Sequence, residues 1–328
     1  MRRIATLLAR GLAWTVGRAP ALLPVLRRVP WARGRAFVAT FLSGDHMPAR
    51  EIVARVNGLQ YRLDLRDDVQ RAIYFGAYAR EFAAIRRLVP EGGICLDIGA
   101  NVGAYALRFG QWVGDRGRVY AFEPDATIAA RLRENIRLNA LDKVVHVSEE
   151  ALSNQIGSAT FFRSSTGHSG AGTLERFGKG WQAGSVSVQT TTVDAFLAAK
   201  GIADVAVMKV DVEAHELELL EGAGEMLSQH RVAAVLIEYN GIRLAQMGKS
   251  YTDFMQAFAR HGYYPVELRL DRIARIESGE LDPATICVDF LFASSKHNGR
   301  SRVRVGVAGT GNHLQPGAYV TSHRSDLV

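Results

Sequence analysis

The sequence predicts an α/β fold: a Rossmann-like, mostly parallel central sheet with helices on both faces, preceded by an N-terminal β-hairpin and helical extension. Three observations carry this expectation. Short apolar runs at 94–98, 119–122, 144–147, 205–210 and 232–237 alternate with segments of helical periodicity. Those runs are apolar throughout rather than alternating, as strands covered on both faces are. The first of them enters a turn with glycines at 99 and 103, where a strand-to-helix junction brings backbone close to a ligand.

Taken in order, residues 1–45 form a basic arm with eight Arg before the first acid at Asp45. Its longest uncharged runs fall far short of the roughly 20 residues a spanning helix needs. Three readings stay open for it: packing on the catalytic domain through Leu7, Leu8 and Trp14, a peripheral contact with anionic lipid, or a removed or disordered leader. Residues 46–90 form a lead-in. Within it, 51–56 and 59–65 alternate around Asn57-Gly58, the dipeptide suited to a two-residue hairpin turn. A helix is expected over 69–88, ended by Pro90, Gly92 and Gly93.

The main domain spans 91–295. It should run as strand 94–98, helix 104–113, strand 119–122, helix 125–139 behind an acidic cap, and strand 144–147. Two extra strands at 158–162 and 185–191 flank a Gly/Ser-rich segment, 164–184, long enough to act as a lid or a mobile substrate segment. Strand 205–210, a helix at 216–228, strand 232–237, a helix at 251–261 and strand 287–293 complete it. Residues 296–328 turn polar and aperiodic and read as a disordered basic tail.

The composition is that of a globular protein, 48% hydrophobic and 22% charged over 328 residues. Net charge is +7, but residues 1–44 carry +8 and residues 296–328 carry +4, so the interval between them is −5. A nucleic-acid partner is therefore not expected, because a docking face needs its cations on the folded surface. Cys95 and Cys287 lie in separate apolar runs and read as buried, reduced core residues, which favours a cytoplasmic compartment.

The segment ICLDIGANVG at 94–103 runs a strand into DxGxNxG, and Glu123 follows at the end of the second strand. There a carboxylate can accept hydrogen bonds from both ribose hydroxyls. The even spacing of Gly99, Asn101 and Gly103 differs from the GxGxxG of dinucleotide folds. An extra acid at Asp97 suits a sulfonium ligand better than a pyrophosphate. S-adenosylmethionine is the cofactor this favours. The bland alternative is a tight turn whose glycines serve packing alone.

These motifs resemble the FkbM family of S-adenosylmethionine-dependent methyltransferases of class I. The resemblance rests on LDIGANVG at 96–103, VYAFEPD at 119–125, EEALSN at 149–154, TTVDAF at 191–196, MKVDVEAHELELLEGA at 208–223 and LIEYN at 236–240. It implies that Asp97, Gly99 and Gly103 line the methionine end of the cofactor, Glu123 its ribose and Glu150 its adenine; Asn101, in the same turn, is the remaining cofactor-binding candidate. It also implies O-methylation of a hydroxyl on a glycan, glycolipid or polyketide-like metabolite. The chain departs from the family at Ala214, where a glycine is usual.

Methyl transfer to an alcohol needs a base for the hydroxyl proton. Asp211 at the end of the fourth strand is the first choice, with Glu213 and His215 beside it. Glu213 and Glu216 have an alternative role as acids at a helix N-terminus, and His215 one as a surface or capping residue. No resident metal is assigned; the alternative is a divalent cation held by Asp211, Glu238 and Asn240. Other functions left open are a noncatalytic cofactor-binding module and a nicotinamide-dependent Rossmann enzyme.

Overall fold

The computed structural model describes residue 47 and residues 51–164, 168–177 and 182–296. The expectations for the basic arm and the tail lie outside the described residues. Strands β1 (Ile52–Val56) and β2 (Leu59–Leu63) pair antiparallel, and Asn57 and Gly58 take φ of 49° and 90° at their turn. The expected single helix over 69–88 is instead two, α1 (Asp68–Phe75) and α2 (Ala79–Ile85). Gly76 breaks it: at φ 69° its N–H caps the carbonyls of Ala72 and Ile73.

The succession then is β3 (Ile94–Ile98), α3 (Ala104–Val113), β4 (Arg118–Phe122), α4 (Ala126–Leu138), β5 (Val145–Ser148), β6 (Ala151–Leu152), β7 (Gly157–Ser164) and β8 (Gln182–Thr191). It continues with α5 (Val193–Lys200), β9 (Val205–Val210), α6 (Glu216–Glu221), α7 (Gly224–Ser228), β10 (Val232–Asn240) and α8 (Gly241–Gln246). The last elements are α9 (Tyr251–Ala259), β11 (Tyr263–Pro265), α10 (Leu270–Glu277) and β12 (Cys287–Ser294). The helix expected at 216–228 is split into α6 and α7. The break falls at Gly222, where a Cβ would lie 2.0 Å from the Ser153 carbonyl oxygen, so this turn is pressed against β6.

The seven-stranded sheet has the order β11-β12-β10-β9-β3-β4-β5. From β5 to β10 the pairings are parallel, while β12 runs antiparallel to both β10 and β11. The chain fills one side of β3 with β4 and β5 and then crosses to β9, so strand order reverses at β3. Ile98 pairs with Phe122 on one side and Val210 on the other, which brings the three carboxyl ends level at that switch point.

Helices cover both faces. One core gathers the hairpin, α3 and α4 through Tyr61, Leu63, Phe109 and Leu132. The other gathers α5 to α10 through Leu197, Leu220, Phe254, Phe258 and Phe292. Each such side chain contributes roughly 2 kcal/mol on burial, so the sheet sandwich holds the strand ends rigidly under whatever binds there. The hairpin is also tied on by polar bonds: Arg62 N–H donates to Asn135 Oδ1 at 2.7 Å and Gln60 N–H to Asn139 Oδ1 at 2.8 Å.

Cys95 is buried as expected, but Cys287 is exposed. The reason is the length of β11, which pairs only with residues 292–294 and leaves the start of β12 as a sheet edge. Among the described residues no helix is long and apolar enough to cross a membrane.

Candidate active site

A cleft of about 220 Å³ opens at the carboxyl ends of β3, β4, β9 and β10. The turn after β3 forms its floor. Gly99 takes φ 76°, and a Cβ there would lie 1.8 Å from the Asp211 carbonyl oxygen. Gly103 takes φ 100°, and a Cβ there would lie 2.4 Å from Leu107 Cδ1 and 2.7 Å from Leu132 Cδ1. Both glycines thus serve close packing of chain on chain. Asn101 holds φ 49° between them, and its Nδ2 donates to Ser169 Oγ at 3.2 Å. Asp97 is wholly buried beneath this turn and is not among the lining residues. Burial pushes its carboxyl up to about 6 against the pull of the Lys209 ammonium.

Glu123 stands across the floor at the end of β4. The Asn101 N–H donates to its Oε2 at 2.9 Å and the Asp125 N–H to its Oε1 at 3.0 Å. Two backbone donors therefore fix the plane of the carboxylate while its residue lines the cleft. Burial raises it to about 8, with those two donors opposing the rise. Glu150, half-buried, lines the same wall and accepts from Ser148 Oγ at 2.9 Å.

The opposite wall is acidic. Carboxylate oxygens of Asp211, Glu213 and Glu238 lie within 4.8 Å of one another. Lys209, buried at the end of β9, places Nζ 2.6 Å from Asp211 Oδ2. Burial lowers its hold on the proton, but the fields of Asp211, Asp289 and Asp97 outweigh that and keep it above its ordinary value. Arg243 of α8 pairs with Glu213 at 2.8 Å. Asn240, expected beside Asp211 and Glu238, instead caps α8, its Oδ1 accepting from the Arg243 N–H at 3.3 Å. Two of the three clustered carboxylates already have fixed cations from side chains.

The backbone here is strained. Glu213 and Ala214 take φ of 56° and 78°, in the region an L-residue enters at a cost of about 1–2 kcal/mol. The departure from glycine at Ala214 thus falls where glycine would be freest. His215 occupies the N-cap position of α6, as one expectation had it, but it is not on the surface and its side chain does not cap the helix. It is 7% exposed, and only its backbone carbonyl bonds to α6, accepting from the Leu219 N–H at 3.1 Å. Its Nδ1 lies 2.7 Å from Glu175 Oε1 and its Nε2 2.9 Å from Ser153 Oγ.

Of the segment 164–184, residues 169–174 supply part of the cleft lining. Ser169 N–H donates to Asp67 Oδ2 at 2.6 Å, and Thr173 Oγ1 donates to the Glu213 carbonyl at 2.7 Å. Sequence reasoning missed Lys209, Asp289 and Tyr105 as cleft residues, and Arg243 as the partner of Glu213 behind them. Lys209 and Asp289 had a signal, since each is a lone charge inside an otherwise apolar strand. Tyr105, whose buried hydroxyl has no hydrogen-bond partner among the described residues, had none.

Residues 97–265 match the profile of the methyltransferase FkbM domain. The chain is 26% identical to the 2-O-methyltransferase NoeI of Sinorhizobium fredii over 62% of its own length and 80% of that protein's. It is 28% identical to the hexuronic acid methyltransferase AglP of Haloferax volcanii over 63% of its own length and 80% of that protein's. Among solved structures, it is similar to Aeropyrum pernix fibrillarin with bound S-adenosyl-L-methionine. That match has a TM-score of 0.38 and 14% identity, and covers 74% of this chain and 82% of that one.

Proposed function

From its membership of the FkbM methyltransferase family, we propose that this protein O-methylates a hydroxyl group of a glycan or a related small molecule. It is a methyltransferase, and its methyl donor is S-adenosylmethionine. The observation that carries the reading is the division of the cleft about Gly99. A backbone-fixed carboxylate, Glu123, stands on one side, and a cluster of carboxylates stands on the other.

The cleft residues fit that cofactor. Glu123 presents the face left open by Asn101 and Asp125 to a ribose diol, and Glu150 lies further along the same wall for an exocyclic amine. When bound, S-adenosylmethionine supplies a methyl carbon made electrophilic by a sulfonium charge. The remaining work falls to the chain. Lys209 holds the Asp211 carboxylate at the strand end, where it orients an acceptor hydroxyl. Arg243 holds Glu213 in place, and residues 168–177 cover the reacting groups. His215 braces that cover through Glu175.

Both curated relatives are named for methyltransferases, one for a 2-O position and one for hexuronic acid, which supports a sugar acceptor. The test is incubation with isotopically methyl-labelled S-adenosylmethionine and panels of neutral and uronic-acid oligosaccharides, read by mass spectrometry. Label that survives mild alkali is an ether on a hydroxyl and is the expected product. Label lost in alkali is a carboxylate ester and would overturn the hydroxyl reading.

A further inference from the structure

Three carboxylates meet at the acceptor side of the cleft, yet they are not equivalent. Asp211 is bound to Lys209 and Glu213 to Arg243. Glu238, at the carboxyl end of β10, has no salt-bridge partner among the described residues. Its Oε1 accepts only the Cys287 thiol at 3.1 Å, and its Oε2 is shielded from solvent without any hydrogen bond. A carboxyl oxygen left in that state in a cleft wall has an unused hydrogen-bonding position, which a reacting group can take up.

Resting on the reading of this site as an O-methyltransferase, we propose that Glu238 is the catalytic base and that its ionisation is coupled to the positive charge of the bound cofactor. In the step it serves, a lone pair of the acceptor oxygen forms the new O–CH3 bond and the C–S bonding pair stays on sulfur. The O–H proton passes to the Glu238 carboxylate, leaving its bonding pair on oxygen. One positive charge, the sulfonium, and one negative charge, the carboxylate, disappear together, so the net charge of the pocket is unchanged by turnover.

The surroundings of Glu238 support the coupling. The charged groups that act on it most are four carboxylates: Asp211 and Glu213 after β9, Asp289 directly opposite on β12, and Glu216 of α6. Lys209 and Arg243 are spent on other partners. Burial, followed by those four carboxylates, drives Glu238 far above the usual carboxylate range, which favours its neutral form in the empty site. A sulfonium entering the cleft brings the cation that Glu238 lacks and expels the proton. Neutral S-adenosylhomocysteine does not, and the proton gained during turnover leaves the site primed for the next cofactor.

Isothermal titration of the full chain with S-adenosylmethionine and with S-adenosylhomocysteine, each at pH 7.5 in phosphate and in Tris, measures the protons released on binding. S-adenosylmethionine should release about one proton more per site than S-adenosylhomocysteine, by linkage between charge and protonation. Glu238→Gln should abolish that difference while changing S-adenosylhomocysteine affinity less than threefold. Equal proton counts for the two ligands in the unmodified protein would overturn the role of Glu238 while leaving the cofactor assignment intact. A difference that persists in Glu238→Gln would overturn it equally. Failure of either ligand to bind would overturn the methyltransferase reading and this proposal with it. The first comparison uses the unmodified protein and does not depend on how the variant folds.

Discussion

Replacing His215 with Phe separates a bracing role from a catalytic one. The ring is buried and both its nitrogens are engaged, with Glu175 at 2.7 Å and Ser153 at 2.9 Å. Phe keeps the planar ring and its volume while removing both polar atoms, so the packing cost is small. The bond to Ser153 is worth about 1 kcal/mol and the bond to the charged Glu175 about 1.5–3 kcal/mol. The expected loss in unfolding free energy is therefore about 3 kcal/mol by urea titration with an unchanged m-value. Glu175 lies in the segment over the cleft and is followed by exposed Arg176. Releasing it should accelerate tryptic cleavage after Arg176 at least tenfold under native conditions. A stability within about 1 kcal/mol of the parent, together with unchanged cleavage at Arg176, would refute the brace. His215 would then return to the candidates for chemistry.

Glu123→Gln should weaken S-adenosylhomocysteine binding at least tenfold, about 1.4 kcal/mol, by calorimetry; unchanged affinity would remove Glu123 from the ribose. Gly99→Ala forces a Cβ to 1.8 Å from the Asp211 carbonyl at φ 76°. It should destabilise the fold by at least about 3 kcal/mol by urea titration, and a stable variant would show that β3 and β9 can part at no cost. Stability of the ligand-free protein should fall as pH rises from 5 to 8.5. Asp97 and Asp289 are raised to about 6, Glu216 to about 7 and Glu123 to about 8, by burial first in each case. The folded state thus keeps protons that the unfolded chain has released. The stability these groups give is complete below their unfolded values and is lost as pH climbs through the folded ones, at about 1.4 kcal/mol per pH unit for each retained proton. A melting temperature that rises over this window, or a slope left unchanged by Glu123→Gln, would contradict the assignment.

The parts of the fold legible in sequence were those set by local rules. Strands β3 and β9 and helix α3 have the bounds their apolar periodicity gives, because each is a run of one pattern closed by a turn residue. Asn57-Gly58 announced its hairpin for the same reason. The failures share a tertiary cause. Residues 69–88 kept a helical pattern through Gly76, and only the αL cap it adopts divides them. Gly222 looks like an ordinary helix interior until β6 presses a carbonyl against it. Cys287 reads as a core residue from its apolar neighbours, and its exposure follows from the shortness of β11, a strand that sequence did not reveal.

The site divides in the same way. Glu123 was legible because a strand end and a fixed distance from the glycine turn suffice to place it, and the backbone donors that orient it come from that same turn and from the residue two further along. The acceptor wall is different in kind. Asp211, Glu213 and Glu238 were all visible as acids at strand ends, but the role of each depends on which cation reaches it. Lys209 is two residues from the carboxylate it binds, whereas Arg243 reaches Glu213 from a helix 30 residues further along, and Asn240 is diverted to start that helix. Reactivity in this wall therefore follows from a subtraction carried out in three dimensions. Two cations are assigned to two of the three carboxylates by the geometry of β9 and α8, and the one left over, Glu238, is the group whose charge the cofactor must balance.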